Sequence, residues 1–279
     1  MANKAIEINL DDYTLAGGGF NGESYNSKLD PSIMLKLYFP GKITQPLDEM
    51  TLARKVYNLG IPTPEPGEYV VTGEGRYGIR FHRILGKKSI ARACGDNPQL
   101  VEKYAFEFAR MCRLLHGTKV NPAEFEDIKD RYIRLLEQNP FFTTAEKDKL
   151  SRFISDAPDT CTAIHGDLQF GNVIFKDDRY FFIDLGDFCH GYSLFDLGMV
   201  YLTCILSSDE FRKENFHMDS PTAACFWKHF AADYFGPDRP LKDIEEEILP
   251  YAGLKTLIIE RDAKCPQPHF RAALASILR

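Results

Sequence analysis

Ala163-Ile164-His165-Gly166-Asp167-Leu168-Gln169-Phe170-Gly171-Asn172 runs into Val173-Ile174-Phe175, then Lys176-Asp177-Asp178-Arg179, then Tyr180-Phe181-Phe182-Ile183-Asp184-Leu185-Gly186-Asp187. Two short apolar runs, Val173 to Phe175 and Tyr180 to Ile183, flank four turn-forming polar residues and predict a β-hairpin. The polar loop before it puts Asp167 and Asn172 at one mouth of the hairpin, and the return strand delivers Asp184 to that mouth. Acidic residues also crowd turns because they cap and solvate them. That preference does not make several typed positions coincide with two apolar strands.

Two carboxylates and an amide oxygen suit a hard cation such as Mg²⁺, which takes few protein ligands and completes its shell with substrate phosphates. Phosphoryl transfer uses this set. One carboxylate orients the attacking hydroxyl and accepts its proton, while the other carboxylate and the amide hold metal on the phosphates. Asp167, Asn172 and Asp184 stand five and then twelve positions apart, in line with the Asp, Asn and metal-binding Asp of the kinase template.

The stretch resembles the phosphotransferase family of aminoglycoside and choline kinases, whose loop reads His-Gly-Asp followed by Asn and then Ile-Asp-x-x-Asp. Those elements stand here as His165-Gly166-Asp167, Asn172 and Ile183-Asp184-Leu185-Gly186-Asp187. The resemblance implies Asp167 as catalytic base and Asn172 and Asp184 as metal ligands. It implies an α+β, protein-kinase-like fold of two lobes, a small β-sheet lobe with one helix over about 1–85 and a larger, mainly helical lobe over 86–279. The implied activity is ATP- and Mg²⁺-dependent phosphorylation of a small-molecule hydroxyl, with GTP left open as the donor. An aminoglycoside, an amino alcohol such as choline and a sugar-like metabolite all remain open as acceptor. A nucleotide-binding regulatory module without turnover is the alternative from another class.

Upstream, residues 13–39 read as strand, glycine turn, strand, loop, strand, with Gly17, Gly19 and Gly22 at G-x-G-x-x-G positions. In a dinucleotide-binding fold that pattern opens a helix; here strands follow, so it fits a phosphate flap or a plain glycine hairpin. Lys36 lies inside the apolar strand Ile33 to Tyr38, where an ammonium needs an anionic partner. The family resemblance pairs it with ATP phosphates and with a glutamate on the next helix, predicted over Leu47 to Leu59. Glu49 is the candidate and Asp48 its competitor, while a solvated acid at a helix N-terminus is the plainer reading. The residues Gly60 to Pro64 and Tyr77 to Ile79 also resemble the small lobe of bacterial members of that family. By the same analogy the adenine meets the backbone near His82 to Leu85, and Gly86 marks a hinge.

At 279 residues, with 44% hydrophobic and 27% charged residues, the chain is sized and composed for one large domain or two lobes. A net charge of −6 argues against a general nucleic-acid or acidic-membrane binder and tilts weakly toward a cationic acceptor. The start, Met1-Ala2-Asn3-Lys4-Ala5-Ile6, has no apolar core of signal-peptide length, and no stretch has the length of a membrane span. Seven scattered cysteines without a Cys-x-x-Cys pair read as reduced thiols in a cytoplasm.

Helices are expected from Asn97-Pro98 to Leu115, over Pro122 to Leu136 and over Thr144 to Ile154, the last two with solvated charged faces. His116 reads as a packed or capping histidine and Trp227 as core. Asp196 either braces the loop, as in the family, or simply starts a helix. Asp187 could serve the metal shell, the substrate or the loop, and His165 buttresses Asp184 or the loop backbone. Relatives build the acceptor pocket from the helical region after Phe195, where Asp209, Glu210, Glu260 and Asp262 either face a cation or lie on the surface. No long segment ending in Ala-Pro-Glu follows Asp184, so the acceptor platform of protein kinases is absent.

Overall fold

Period-two alternation along residues 13–38 becomes an antiparallel meander in the computed structural model, which describes residues 5–19, 21–40 and 46–279. Met1 to Lys4 of the expected leader-free start, and Phe20 of the glycine turn, lie outside the described residues. The chain forms two units, one of residues 1–87 and 174–186, the other of residues 88–173 and 187–279.

The first unit contains β1 (Ile6–Ile8), β2 (Tyr13–Gly18), β3 (Gly22–Ser27), β4 (Ile33–Tyr38), α1 (Pro46–Asn58), β5 (Pro66–Thr72) and β6 (Tyr77–His82). Its sheet runs β1-β5-β6-β4-β3-β2, with β1 parallel to β5 and the other pairs antiparallel. Leu35 and Leu37 turn to one face and pack with Ile8, Tyr13, Tyr25 and Val70. The intervening residues therefore face the other way, where Tyr38 packs on Met50 of α1 and on Ile79. This alternation puts Lys36 on the α1 side of the sheet.

The second unit opens with β7 (Lys88–Ser89) and α2 (Ile90–Asp96), capped by Ser89 Oγ accepting from Arg92 N. It continues with α3 (Val101–Gly117), α4 (Ile128–Gln138), α5 (Thr144–Asp156) and β8 (Ala163–Ile164). The chain then makes the predicted hairpin, β9 (Val173–Lys176) and β10 (Arg179–Phe182), whose residues from Ile174 belong to the first unit. Asp177 and Asp178 at its turn both have positive φ, 48° and 57°, the backbone that matches strand twist in a two-residue turn. The second unit resumes with β11 (Cys189–His190), α6 (Leu194–Tyr201), α7 (Asp209–Phe216), α8 (Ser220–Phe235), α9 (Leu241–Leu254) and α10 (Thr256–Ala263), and short helical turns close the chain. Its core is aromatic: Phe108 of α3 meets Phe226 and Phe230 of α8, and buried Trp227 stands edge-on to Tyr201.

Some boundaries move for local reasons. Asn97-Pro98 leads a 3₁₀ turn, with α3 proper starting at Val101, and the seven-residue α2 precedes it. α4 starts at Ile128 because Asp127 caps it, accepting from Lys129 N. Pro66 begins β5. All seven cysteines are free thiols, and among the described residues no helix is long and apolar enough to cross a membrane.

Glu260 corrects the sequence reading most sharply, since it is neither at the surface nor open to an acceptor. Its fully buried carboxylate accepts from Arg271 Nε at 2.5 Å and Nη2 at 2.8 Å, from Gln267 N at 2.8 Å and from Asn139 Nδ2 at 2.9 Å. Arg271 also lies 3.8 Å from the centroid of the Phe142 ring, so the network ties the chain end to the α4–α5 connection. Glu260→Ala strands that guanidinium and is expected to destabilise the protein by roughly 3 kcal/mol in urea denaturation, the scale for breaking a buried pair.

Candidate functional site

Three charged side chains meet in the first unit. Lys36 Nζ lies 2.6 Å from Asp184 Oδ1 and 3.3 Å from Glu49 Oε1. Glu49 is therefore the helix partner, while Asp48, one position along α1, is exposed. Burial pushes the Lys36 ammonium down, but Asp184 and Glu49 outweigh it and hold the group above its ordinary value, charged. Beside it, burial and then Glu49 push the Tyr38 phenol far up, so the hydroxyl keeps its proton.

Asp184 follows β10 with φ +61°, a left-handed backbone that costs a non-glycine residue energy and recurs at functional positions. Its side chain is half exposed. A pocket of about 530 Å³ opens here, combining apolar Met34, Phe81 and Ile183 with Lys36, Glu49 and Asp184. Apolar walls with few convergent charges are the usual make-up of a small-molecule site.

The glycines divide by role. Gly17 pairs with Ser24 across β2 and β3, and Gly19 N donates to Gly22 O at 2.8 Å. A Cβ on Gly22 would overlap the Leu37 carbonyl oxygen, so β4 itself excludes a side chain there. A Cβ on Gly17 would meet nothing within 4 Å. The sheet thus explains Gly22 and leaves Gly17 unexplained.

In the second unit, β8 feeds the loop that starts at His165. Asp196, wholly buried at the start of α6, accepts from His165 N at 2.6 Å and Gly166 N at 2.9 Å. His116 Nε2 lies 3.2 Å from the same carboxylate, and His116 Nδ1 lies 2.8 Å from Tyr234 Oη. Burial pushes the Asp196 carboxyl up, but His116, with His165 and Lys255 beyond, outweighs it and holds the group below its ordinary value. His165 supports the loop backbone, its Nδ1 3.4 Å from Asp167 N. Asn172 Nδ2 donates to Asp167 O at 2.9 Å and Oδ2 at 3.2 Å. That commits the amide nitrogen to Asp167 and turns the amide oxygen, a hard donor, the other way.

Thus Lys36, Glu49 and Asp184 come together in one unit, and Asp167, Asn172, His165 and Asp196 in the other. Asp187 exposes 66% of its side chain, while its backbone carbonyl takes a hydrogen bond from Arg131 Nη1 at 2.6 Å. Two cations outside the expected set turn inward, Lys255 fully buried and Arg131 partly so. Lys255, 1% exposed where α9 meets α10, holds its Nζ 5.4 Å from the Tyr132 ring centroid. Burial pushes its ammonium down, but Tyr132 and Asp196, with Asp167 further off, keep it above its ordinary value. A lone lysine in the apolar run from Ala252 to Leu257 was the available signal, the same one that picked out Lys36. Arg131 had one too: it lies on the Ile128, Tyr132, Leu136 stripe that α4 buries.

The sequence pattern of the phosphotransferase enzyme family matches residues 12–227. A search of curated protein sequences found no match. Among solved structures, an apo thermostable mutant of aminoglycoside phosphotransferase APH(4)-Ia is similar at TM-score 0.64 and 14% identity, over 95% of this chain and 94% of that one. Amicoumacin kinase hAmiN, in complex with AMP-PNP, Ca²⁺ and Ami, gives TM-score 0.60 and 16% identity over 98% and 89%. A choline/ethanolamine kinase family protein from Mesorhizobium loti gives 0.54 and 17% over 95% and 85%. At these identities the likeness is one of fold, the protein-kinase-like α+β fold.

Asp196 carries a stability signature with a definite sign. A carboxyl held below its ordinary value stabilises the fold above the unfolded value, about pH 3.9, and that contribution is lost as pH falls through the folded value. Asp196→Asn is expected to lose roughly 3 kcal/mol at pH 7, with the gap to wild type closing below about pH 4 in a pH series of urea melts.

Proposed function

The chain belongs to the phosphotransferase enzyme family, and on that footing we propose that it moves the γ-phosphoryl group of ATP to a hydroxyl of a small molecule. The observation that carries this is Lys36, partly buried inside a strand, paired with both Glu49 and Asp184, and lining the pocket beside them. A cation held between a helix glutamate and an aspartate that follows a hairpin is the kinase device for gripping nucleotide phosphates. The backbone of Gly17, Gly19 and Gly22 would lie over those phosphates, where the open space at Gly17 lets N–H groups approach an anion.

Asp167 is the proposed base. As the acceptor oxygen bonds to phosphorus and the bridging oxygen leaves with ADP, the acceptor's proton passes to the Asp167 carboxylate. Asn172 holds that carboxylate through Nδ2, and Asp196 fixes the amides of the two residues before it. The donor set fits a hard divalent ion: the Asp184 carboxylate and the Asn172 amide oxygen would hold Mg²⁺, which would neutralise charge on the transferring phosphate. Asp187, mostly exposed, would face the metal shell or the acceptor.

Similar structures bound to AMP-PNP and Ca²⁺, or to ADP and hygromycin B, support a nucleotide donor and a small-molecule acceptor. The net charge of −6 favours a cationic acceptor weakly. A silent nucleotide-binding module is the rival, and it would need no base at Asp167.

A thermal-shift titration with ATP and GTP, with and without Mg²⁺, comes first, followed by nucleoside-diphosphate release over a panel of aminoglycosides and hydroxyl metabolites. Asp167→Asn should keep the nucleotide-induced stabilisation and lose at least about 100-fold in turnover, the scale for a general base. Wild-type turnover in that variant overturns the role of Asp167. Lys36→Met should lose most of the nucleotide-induced stabilisation, and an unchanged shift would remove Lys36 from the phosphate site.

A further inference from the structure

The charges on α4 read from sequence as solvated, yet Arg131 turns inward with 17% of its side chain exposed. Its Nη1 donates to the Asp187 carbonyl oxygen at 2.6 Å, and its Nε and Nη2 reach Glu126 Oε2 at 2.8 and 2.7 Å. The same carbonyl oxygen lies against Gly166, whose φ is +89° and where any Cβ would overlap it. Gly166 immediately precedes Asp167 and gives its amide to Asp196. Guanidinium, carbonyl and loop glycine therefore form one stack.

The backbone repeats the link. His190 N donates to Glu126 O at 2.9 Å, Asp127 bridges His190, and Cys189 stands opposite Ile164 where β11 pairs with β8. A charged donor on a carbonyl is stronger than a neutral one, and the planar guanidinium holds its two partners at a fixed angle.

We propose that Arg131 is a positioning residue, clamping the Asp187 carbonyl onto Gly166 and so setting where Asp167 is held. Its consequence for turnover rests on the phosphotransferase reading above; its effect on the loop rests on these contacts alone. Arg134 is the natural control. It also pairs with Glu126 and, unlike Arg131, makes no hydrogen bond to the Asp187 carbonyl.

Hydrogen exchange on the full chain, read on peptides spanning residues 163–172, tests the clamp. Arg131→Met is expected to speed exchange of the His165 and Gly166 amides by at least about tenfold, and Arg134→Met by less than about twofold. Unchanged loop exchange in Arg131→Met overturns the proposal, as does equal acceleration by Arg134→Met. Should Arg131→Met fail to fold, Arg131→Lys, which keeps one donor of different shape, is expected to speed the same amides about threefold, and no change overturns the clamp. Nucleoside-diphosphate release by Arg131→Met should fall at least about tenfold with half-saturation by Mg-ATP within about twofold of wild type. A parallel loss of nucleotide affinity would overturn a positioning role. Loop acceleration alongside a wild type that binds no nucleotide would sustain the clamp and overturn the phosphotransferase reading.

Discussion

A carboxylate buried without compensation costs several kcal/mol, and Asp196 meets that cost by taking two consecutive backbone N–H groups, those of His165 and Gly166, and by facing His116. The loop has little freedom left once those bonds form. Gly166 must then adopt a left-handed φ, Asp167 follows at a fixed point, and Asn172 closes the loop by bonding both the backbone and the side chain of Asp167. A lone aspartate thereby turns a flexible His-Gly-Asp segment into a rigid platform. His116 meets this carboxylate from α3, and Lys255 brings a positive charge near it from the α9–α10 junction. Such positioning would serve the base proposed at Asp167, since small misplacements of a reacting group cost rate.

The first unit solves a different electrostatic problem. Lys36 is partly buried in its strand and keeps anions close, and two carboxylates serve it. Glu49 comes from the neighbouring helix and Asp184 from the chain after the hairpin, held in left-handed backbone. An ammonium with two anionic partners can exchange part of that company for phosphate at small cost, since one carboxylate remains. The apolar pocket walls of Met34, Phe81 and Ile183 lower the polarity around these charges.

Elements whose cause is local were legible in the chain. The Lys176 to Arg179 turn needed two consecutive left-handed residues, and aspartates tolerate that backbone. The strand over Ile33 to Tyr38 and helix α1 followed from their periods. Buried charges were harder to read. Glu260 and Arg131 carry the same side chains as surface residues; the α4 stripe points Arg131 inward, but nothing local names the partners of either. Their partners lie at Arg271 and Asn139, and at Asp187 and Glu126. Helix α2 escaped notice for a related reason: only seven residues long, it has a short stripe that its buried neighbours complete.

The sequence alone determined the hairpin, the glycine turn, the strand that carries Lys36, and the kinds of donor the loop can offer, because each depends on residues within a few positions of one another. Tertiary structure decided which carboxylates Lys36 chooses, that Gly22 answers to Leu37, that Asp196 serves the loop amides, and that Arg131 and Glu260 go inside. Charges separated by tens of residues meet only when packing brings them together, and the linear pattern carries no record of which pairs packing will choose.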